Sequence, residues 1–289
     1  MKMKLGISSY SLQGAINSKE MTILDVVQWV ADQGGEHVEI VPMGFSLVDD
    51  LSLADAIRQK AEAAGIEISN YAIGANFLTS GLEDYEKEIE RVKKEVDVAH
   101  RLGVKLMRHD VAWKSPNEIS IRNFEQDLPK MADACSKVAD YAAQYGIVTS
   151  VENHGYYVQA SDRVQRLIHA VDKENFKTTL DTGNFLCVDE DPVAAVKNNI
   201  SYASMVHVKD FYRRTSSLGL GEGWFPSSSG NYLRGAITGH GDINLPEVLK
   251  VIKQSGYNGY ISIEFEGIEE CKKAAKISLD NVKGIWEAV

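Results

Sequence analysis

Eight short strand-like runs alternate with longer stretches of helical periodicity, and that alternation leaves few folds open to the chain. The runs are Lys4–Ser8, His37–Val41, Glu67–Ala72, Lys105–His109, Ile147–Glu152, Lys177–Asp181, Ser204–Val208 and Tyr260–Glu264. Between them lie patterns such as Thr22–Gln33, where Ile23, Val26, Val27 and Val30 share one face, Tyr85–Leu102 and Phe124–Tyr145. Gly65, Gly103, Gly146 and Gly256 close helical stretches at or just before a strand start, where a helix stop belongs. Eight strand-then-helix repeats predict a closed (β/α)₈ barrel. An open doubly wound sheet would use fewer strands and carry a Gly-rich turn after the first one, and no such turn follows Ile7. One stretch breaks the rhythm: Lys209–Leu245, after strand 7, is Gly/Ser-rich and far longer than an ordinary strand-to-helix loop.

At 289 residues the chain could hold two average domains, but one barrel reaches the same length, so a single domain over residues 1–289 is expected. Hydrophobic residues at 44% and charged residues at 25% supply an ordinary core and surface. The formal net charge of -10 repels polyanions, which argues against a nucleic-acid partner. No signal-peptide pattern opens the sequence and no apolar run of about 18 residues occurs, so a cytoplasmic location without membrane contact is expected. Cys135, Cys187 and Cys271 are odd in number and far apart, which predicts small buried residues rather than disulfides or a thiolate zinc site.

In such a barrel the chemistry gathers where the strands end. Polar residues close the apolar runs at Glu39, Asn70, His109, Glu152, Asp181, His207 and Glu264. Four of them, Glu152, Asp181, His207 and Glu264, end strands 5 to 8 and so neighbour one another around half the rim. Three buried carboxylates and one imidazole cannot satisfy each other; one divalent cation can satisfy all four. An oxygen-rich set with one nitrogen suits Mn²⁺ or Mg²⁺, with Co²⁺ and Zn²⁺ also accommodated. Of the two nearby glutamates, Glu264 is chosen because it lies within the strand while Glu266 abuts the Gly267 turn. His109, His154 and His240 are candidates for substrate contact, and Trp113 can offer a ring face to sugar C–H groups. His37, His100 and His169 are read as structural or solvent-facing, in or beside helices.

The runs Val-Glu152-Asn-His-Gly, Leu-Asp181-Thr-Gly-Asn, Val-His207-Val-Lys-Asp and Ile-Glu264-Phe-Glu-Gly, in this order and spacing, resemble the xylose isomerase-like TIM barrels. That family of sugar phosphate isomerases and epimerases includes ketose 3-epimerases, hydroxypyruvate isomerase, inosose dehydratase and, more distantly, endonuclease IV. The resemblance implies that Glu152, Asp181, His207 and Glu264 hold a catalytic Mn²⁺-like ion, that Glu152 and Glu264 carry protons, and that Arg213 binds substrate. Asn184 stands where ketose 3-epimerases and endonuclease IV have histidine, and Val158 where the epimerases have a substrate-contacting glutamate.

The expected activity is therefore a sugar or sugar-phosphate isomerase or epimerase working through an enediolate. A sugar or inosose dehydratase on the same site is the alternative, with His109 or His240 as its acid, and an endonuclease IV-like nuclease a more distant one. The partner is a small sugar or sugar derivative, with room for a homo-oligomer. The segment 209–245 is expected to fold over the mouth as a lid, Trp224 or Phe225 excluding water and Arg213 gripping substrate.

Overall fold

Val, Ile and alternating small polar residues in the eight runs favour extended chain buried on both faces, and each run forms a parallel strand. The computed structural model describes residues 3–289; Met1 and Lys2 lie outside the described residues. The strands are β1 (Lys4–Ser8), β2 (His37–Ile40), β3 (Glu67–Ile73), β4 (Leu106–His109), β5 (Val148–Glu152), β6 (Phe176–Asp181), β7 (Ala203–Val208), then β8 (Asp210–Arg214), β9 (Phe225–Pro226), β10 (Tyr232–Ala236) and β11 (Tyr260–Ile263). A closed barrel runs β1-β11-β7-β6-β5-β4-β3-β2, all neighbours parallel. This is a TIM barrel, as the repeats predict.

A short α1 (Gln13–Asn17) follows β1. The outer ring is α2 (Ile23–Asp32), α3 (Leu51–Ala64), α4 (Leu82–Leu102), α5 (Ile121–Ala143), α6 (Ser161–Val171), α7 (Pro192–Asn199), α8 (Leu245–Gln254) and α9 (Cys271–Ala288). Thr22 caps α2 through a reciprocal box with Asp25, and α2 turns Ile23, Val26, Val27 and Val30 onto the barrel. Gly6 permits the tight closure of β1 on β2, since a Cβ there would lie 2.0 Å from the His37 carbonyl oxygen.

His37 is the structural histidine at the head of its strand run. It starts β2, fully buried, with its Nε2 3.0 Å from the Ile261 carbonyl, and burial pushes its pKa down to about 4. Cys135 and Cys187 are buried and unpaired. No helix among the described residues is long and apolar enough to cross a membrane.

The segment after β7 differs from a plain irregular loop. It folds as a three-stranded antiparallel sheet in the order β8-β10-β9. Asp210 anchors it: its carboxylate accepts N–H groups from Phe211, Gly239, Gly241 and Ile243 at 2.9, 3.0, 2.8 and 3.3 Å. The second glycine is required by that contact, because a Cβ on Gly241 would lie 2.2 Å from Asp210 Oδ1.

Candidate active site

Glu152 and Asp181 close β5 and β6, His207 is the penultimate residue of β7, and Glu264 follows β11 directly. Barrel register places Asp181 beside His207, and His207 beside Ser262, two residues before Glu264. The four side chains therefore converge, and one ligand atom from each lies within 4.8 Å of every other. His207 Nδ1 sits 2.5 Å from Glu264 Oε2, 3.3 Å from Glu152 Oε1 and 4.0 Å from Asp181 Oδ2.

Each ligand candidate is aimed by neighbours. His207 Nε2 is 2.9 Å from Glu39 Oε1, which also accepts a bond from Asn70 Nδ2 at 2.7 Å. With Nε2–H given to Glu39, the imidazole turns Nδ1 toward the carboxylates, the carboxylate–histidine arrangement of metal sites. Asp181 Oδ1 accepts the N–H groups of Gly183 and Asn184 at 2.7 and 2.8 Å, while Oδ2 is buried without a hydrogen-bond partner. Asn153 ties β5 to β6 by bonding both the N–H and the carbonyl of Asp181 at 2.8 Å. A buried carboxylate oxygen without a hydrogen bond, two further carboxylates and an oriented imidazole fit a divalent cation.

Two buried cations complete the cluster, and the sequence assigned neither of them to it. Lys209 is 2% exposed, its Nζ 3.0 Å from Glu264, 3.1 Å from Glu266 and 3.5 Å from Asp181. Arg108 pairs with Glu152 and, at 2.9 Å, with Asp110. Burial pushes the Glu264 carboxyl up, but Lys209 and then His207 outweigh it and hold the group at about 2. Burial likewise opposes ionisation of Glu152, and Arg108 and His207 overcome it. Asp181 goes the other way: burial raises it to about 7 against the pull of Lys209. A charged residue at a strand end signals such a cluster only when the pleat is counted. Arg108 shares the inward face with Leu106, and Lys209 falls two residues after His207.

A cavity of about 180 Å³ opens over the cluster, lined by Arg108, Glu152, His154, His207, Lys209 and Glu264, with Tyr10, Asp110 and Glu266 at its edge. Of the residues expected to touch substrate, His154 lines it, with Nδ1 3.3 Å from Asp110 Oδ1. His109 does not. It is buried behind the strand, edge-on to Phe77, with Nδ1 bonded to the Asp110 carbonyl at 2.8 Å; the pleat sends Arg108 inward in its place. Arg213 is exposed on β8 and borders a different depression, beside Asp242. His240 is also exposed, because Asp210 claims the N–H groups of the glycines flanking it. Trp113 lines a neighbouring cavity on the same rim. Trp224 and Phe225, expected over the mouth, do not line it: Trp224 stacks with Arg214 and Arg234, and Phe225 packs edge-on to Phe211.

Comparison with known proteins identifies the family and the fold. Residues 27–284 match the family described as "Xylose isomerase-like TIM barrel". An inosose dehydratase of Clostridium botulinum is 22% identical over 263 residues, covering 86% of this chain and 83% of that protein. Among solved structures, the IOLI protein with a bound zinc atom superposes with a TM-score of 0.78 at 16% identity, covering 99% of each chain. A D-allulose 3-epimerase from Methylomonas superposes with a TM-score of 0.71 at 17% identity, covering 98% of each.

Proposed function

The chain belongs to the xylose isomerase-like TIM barrel family, and from that premise we propose that it is a divalent-cation-dependent dehydratase of a keto-sugar or a cyclic polyol ketone. The observation that carries this reading is the content of the mouth cavity: two carboxylates, Glu152 and Glu264, together with a separate imidazole, His154, whose contact with Asp110 favours the protonated ring. Removing a proton needs only a base. Expelling a hydroxyl also needs an acid, and His154 stands apart from the ligand set to provide one. The curated relative named as an inosose dehydratase supports the same reaction class.

Glu152, Asp181, His207 Nδ1 and Glu264 would hold the cation, with Mn²⁺ the ion we expect and Mg²⁺, Co²⁺ or Zn²⁺ also suited to the donor set. When bound, the cation supplies Lewis acidity at the substrate carbonyl and stabilises negative charge on its oxygen. A glutamate takes the proton from the carbon next to the ketone. The electron pair left behind forms the C=C bond as the hydroxyl on the following carbon departs, and His154 gives that hydroxyl a proton, releasing water. Arg108 and Lys209 fix Glu152 and Glu264 in place and keep them ionised. Because both glutamates border one cavity, return of the proton to the substrate is the second reading, giving an isomer or epimer.

Product mass separates the two. The Mn²⁺-loaded protein, offered inososes and ketohexoses, is expected to yield a product lighter by one water. An isomer of unchanged mass would support the second reading, and no conversion of any would reject both. His154→Ala should slow water loss by about 10²-fold or more while hydrogen exchange with D₂O at the α-carbon continues.

A further inference from the structure

Beside the mouth lies a second cavity, of about 370 Å³, that the proposed chemistry leaves unused. Three rim segments build it: Trp113 and Ile119 after β4, Tyr156 after β5, and Pro226, Ser227 and Ser228 at the tip of the β9–β10 turn. It adjoins the mouth, since Tyr156 lies two residues after His154 and Trp113 three residues after Asp110, both of which line the first cavity.

Three features mark it as a built surface. Trp113, 66% exposed, shares the lining with Ile119 and Tyr156, so apolar surface is grouped there rather than scattered. Tyr156 adopts a φ of 65°, strained for a bulky residue, and in that conformation its hydroxyl donates to the Pro226 carbonyl at 2.9 Å, pinning the excursion sheet against the rim. Lys114, the one charged side chain in the lining, is neutralised by Asp127 at 3.1 Å. The cavity is thus aromatic, edged by hydroxyls and free of unpaired charge, which suits an uncharged ring with an apolar face and polar edge. At about 180 Å³ the mouth is smaller than the roughly 300–1,000 Å³ usual for small-molecule sites, whereas the second cavity, at about 370 Å³, lies inside that range.

We propose that this second cavity is a subsite for the non-reacting ring of a glycoside, so that a keto-sugar bearing an uncharged ring substituent binds more tightly than a free keto-sugar, which fills the mouth alone. The inference rests on the keto-sugar reading above and adds the class of substituent. Calorimetric titration of the Mn²⁺-loaded protein with methyl and phenyl D-glucopyranosides, both anomers of each, tests it. One phenyl glycoside is expected to bind about tenfold more tightly than its methyl counterpart. Trp113→Ala, and separately the cavity-filling Ser228→Trp, should bring that ratio below twofold. Equal affinity for phenyl and methyl glycosides in the wild type, or a ratio that survives both substitutions, overturns the subsite. The underlying reaction fails by a different readout, the unchanged mass of an inosose or ketohexose, while the affinity ratio still decides the subsite.

Discussion

His207 meets Glu39 through one ring nitrogen and the carboxylates of Glu152, Asp181 and Glu264 through the other, so under the proposed metal site the charge on Glu39 sets how strongly Nδ1 can donate to a cation. Glu39→Gln keeps the shape but removes the charge, and should weaken Mn²⁺ affinity about 10- to 100-fold in a chelator competition while circular dichroism stays unchanged. Lys209 offers the opposite test. Its ammonium lies buried among Asp181, Glu264 and Glu266, and removing one partner of such a cluster leaves uncompensated charge, a loss of about 3–5 kcal/mol. Lys209→Met should therefore lower the melting temperature in chelator, and added Mn²⁺ should recover much of the loss because it supplies positive charge to the same carboxylates. At this scale the convergence of the four side chains was legible because they end four adjacent apolar runs. Arg108 and Lys209 were not, because charged residues are seldom buried and a polar strand end draws the eye to the last residue, His109, rather than to the one whose pleat faces inward.

The eight barrel strands lie within about two residues of their sequence expectation, since period and punctuation agree at each one. The excursion sheet was read as loop. Its strand β10, Tyr-Leu-Arg-Gly-Ala, mixes buried and half-buried residues without clean alternation, and β9 is only two residues long. Asp210 fixes the two ends of this sheet by hydrogen bonds, beside the apolar packing of Phe211, Phe225 and Leu233. Asp210→Ala strands buried N–H groups, each worth about 1–3 kcal/mol when left unpaired, and should destabilise the protein in urea and open residues 215–231 to limited proteolysis. Gly241→Ala should do the same by driving a methyl group into that carboxylate. If neither change alters protease susceptibility, Asp210 does not anchor the excursion.

Across the whole molecule, one rim of the barrel carries both cavities, and strand order explains why. β5, β6, β7 and β11 are consecutive in the barrel, so residues from 152 to 264 reach one cation-sized space although they are scattered along the chain. The loops after β4 and β5 and the β9–β10 turn then frame the neighbouring aromatic cavity. The central claim of this account is that the four strand-end side chains bind one divalent ion. Mn²⁺ titration followed by electron paramagnetic resonance measures it directly, since free and protein-bound Mn²⁺ give different signals. One ion per chain is expected in the wild type, with binding lost or weakened by orders of magnitude in Asp181→Asn. No binding by the wild type, or binding indifferent to the loss of Asp181, would contradict it.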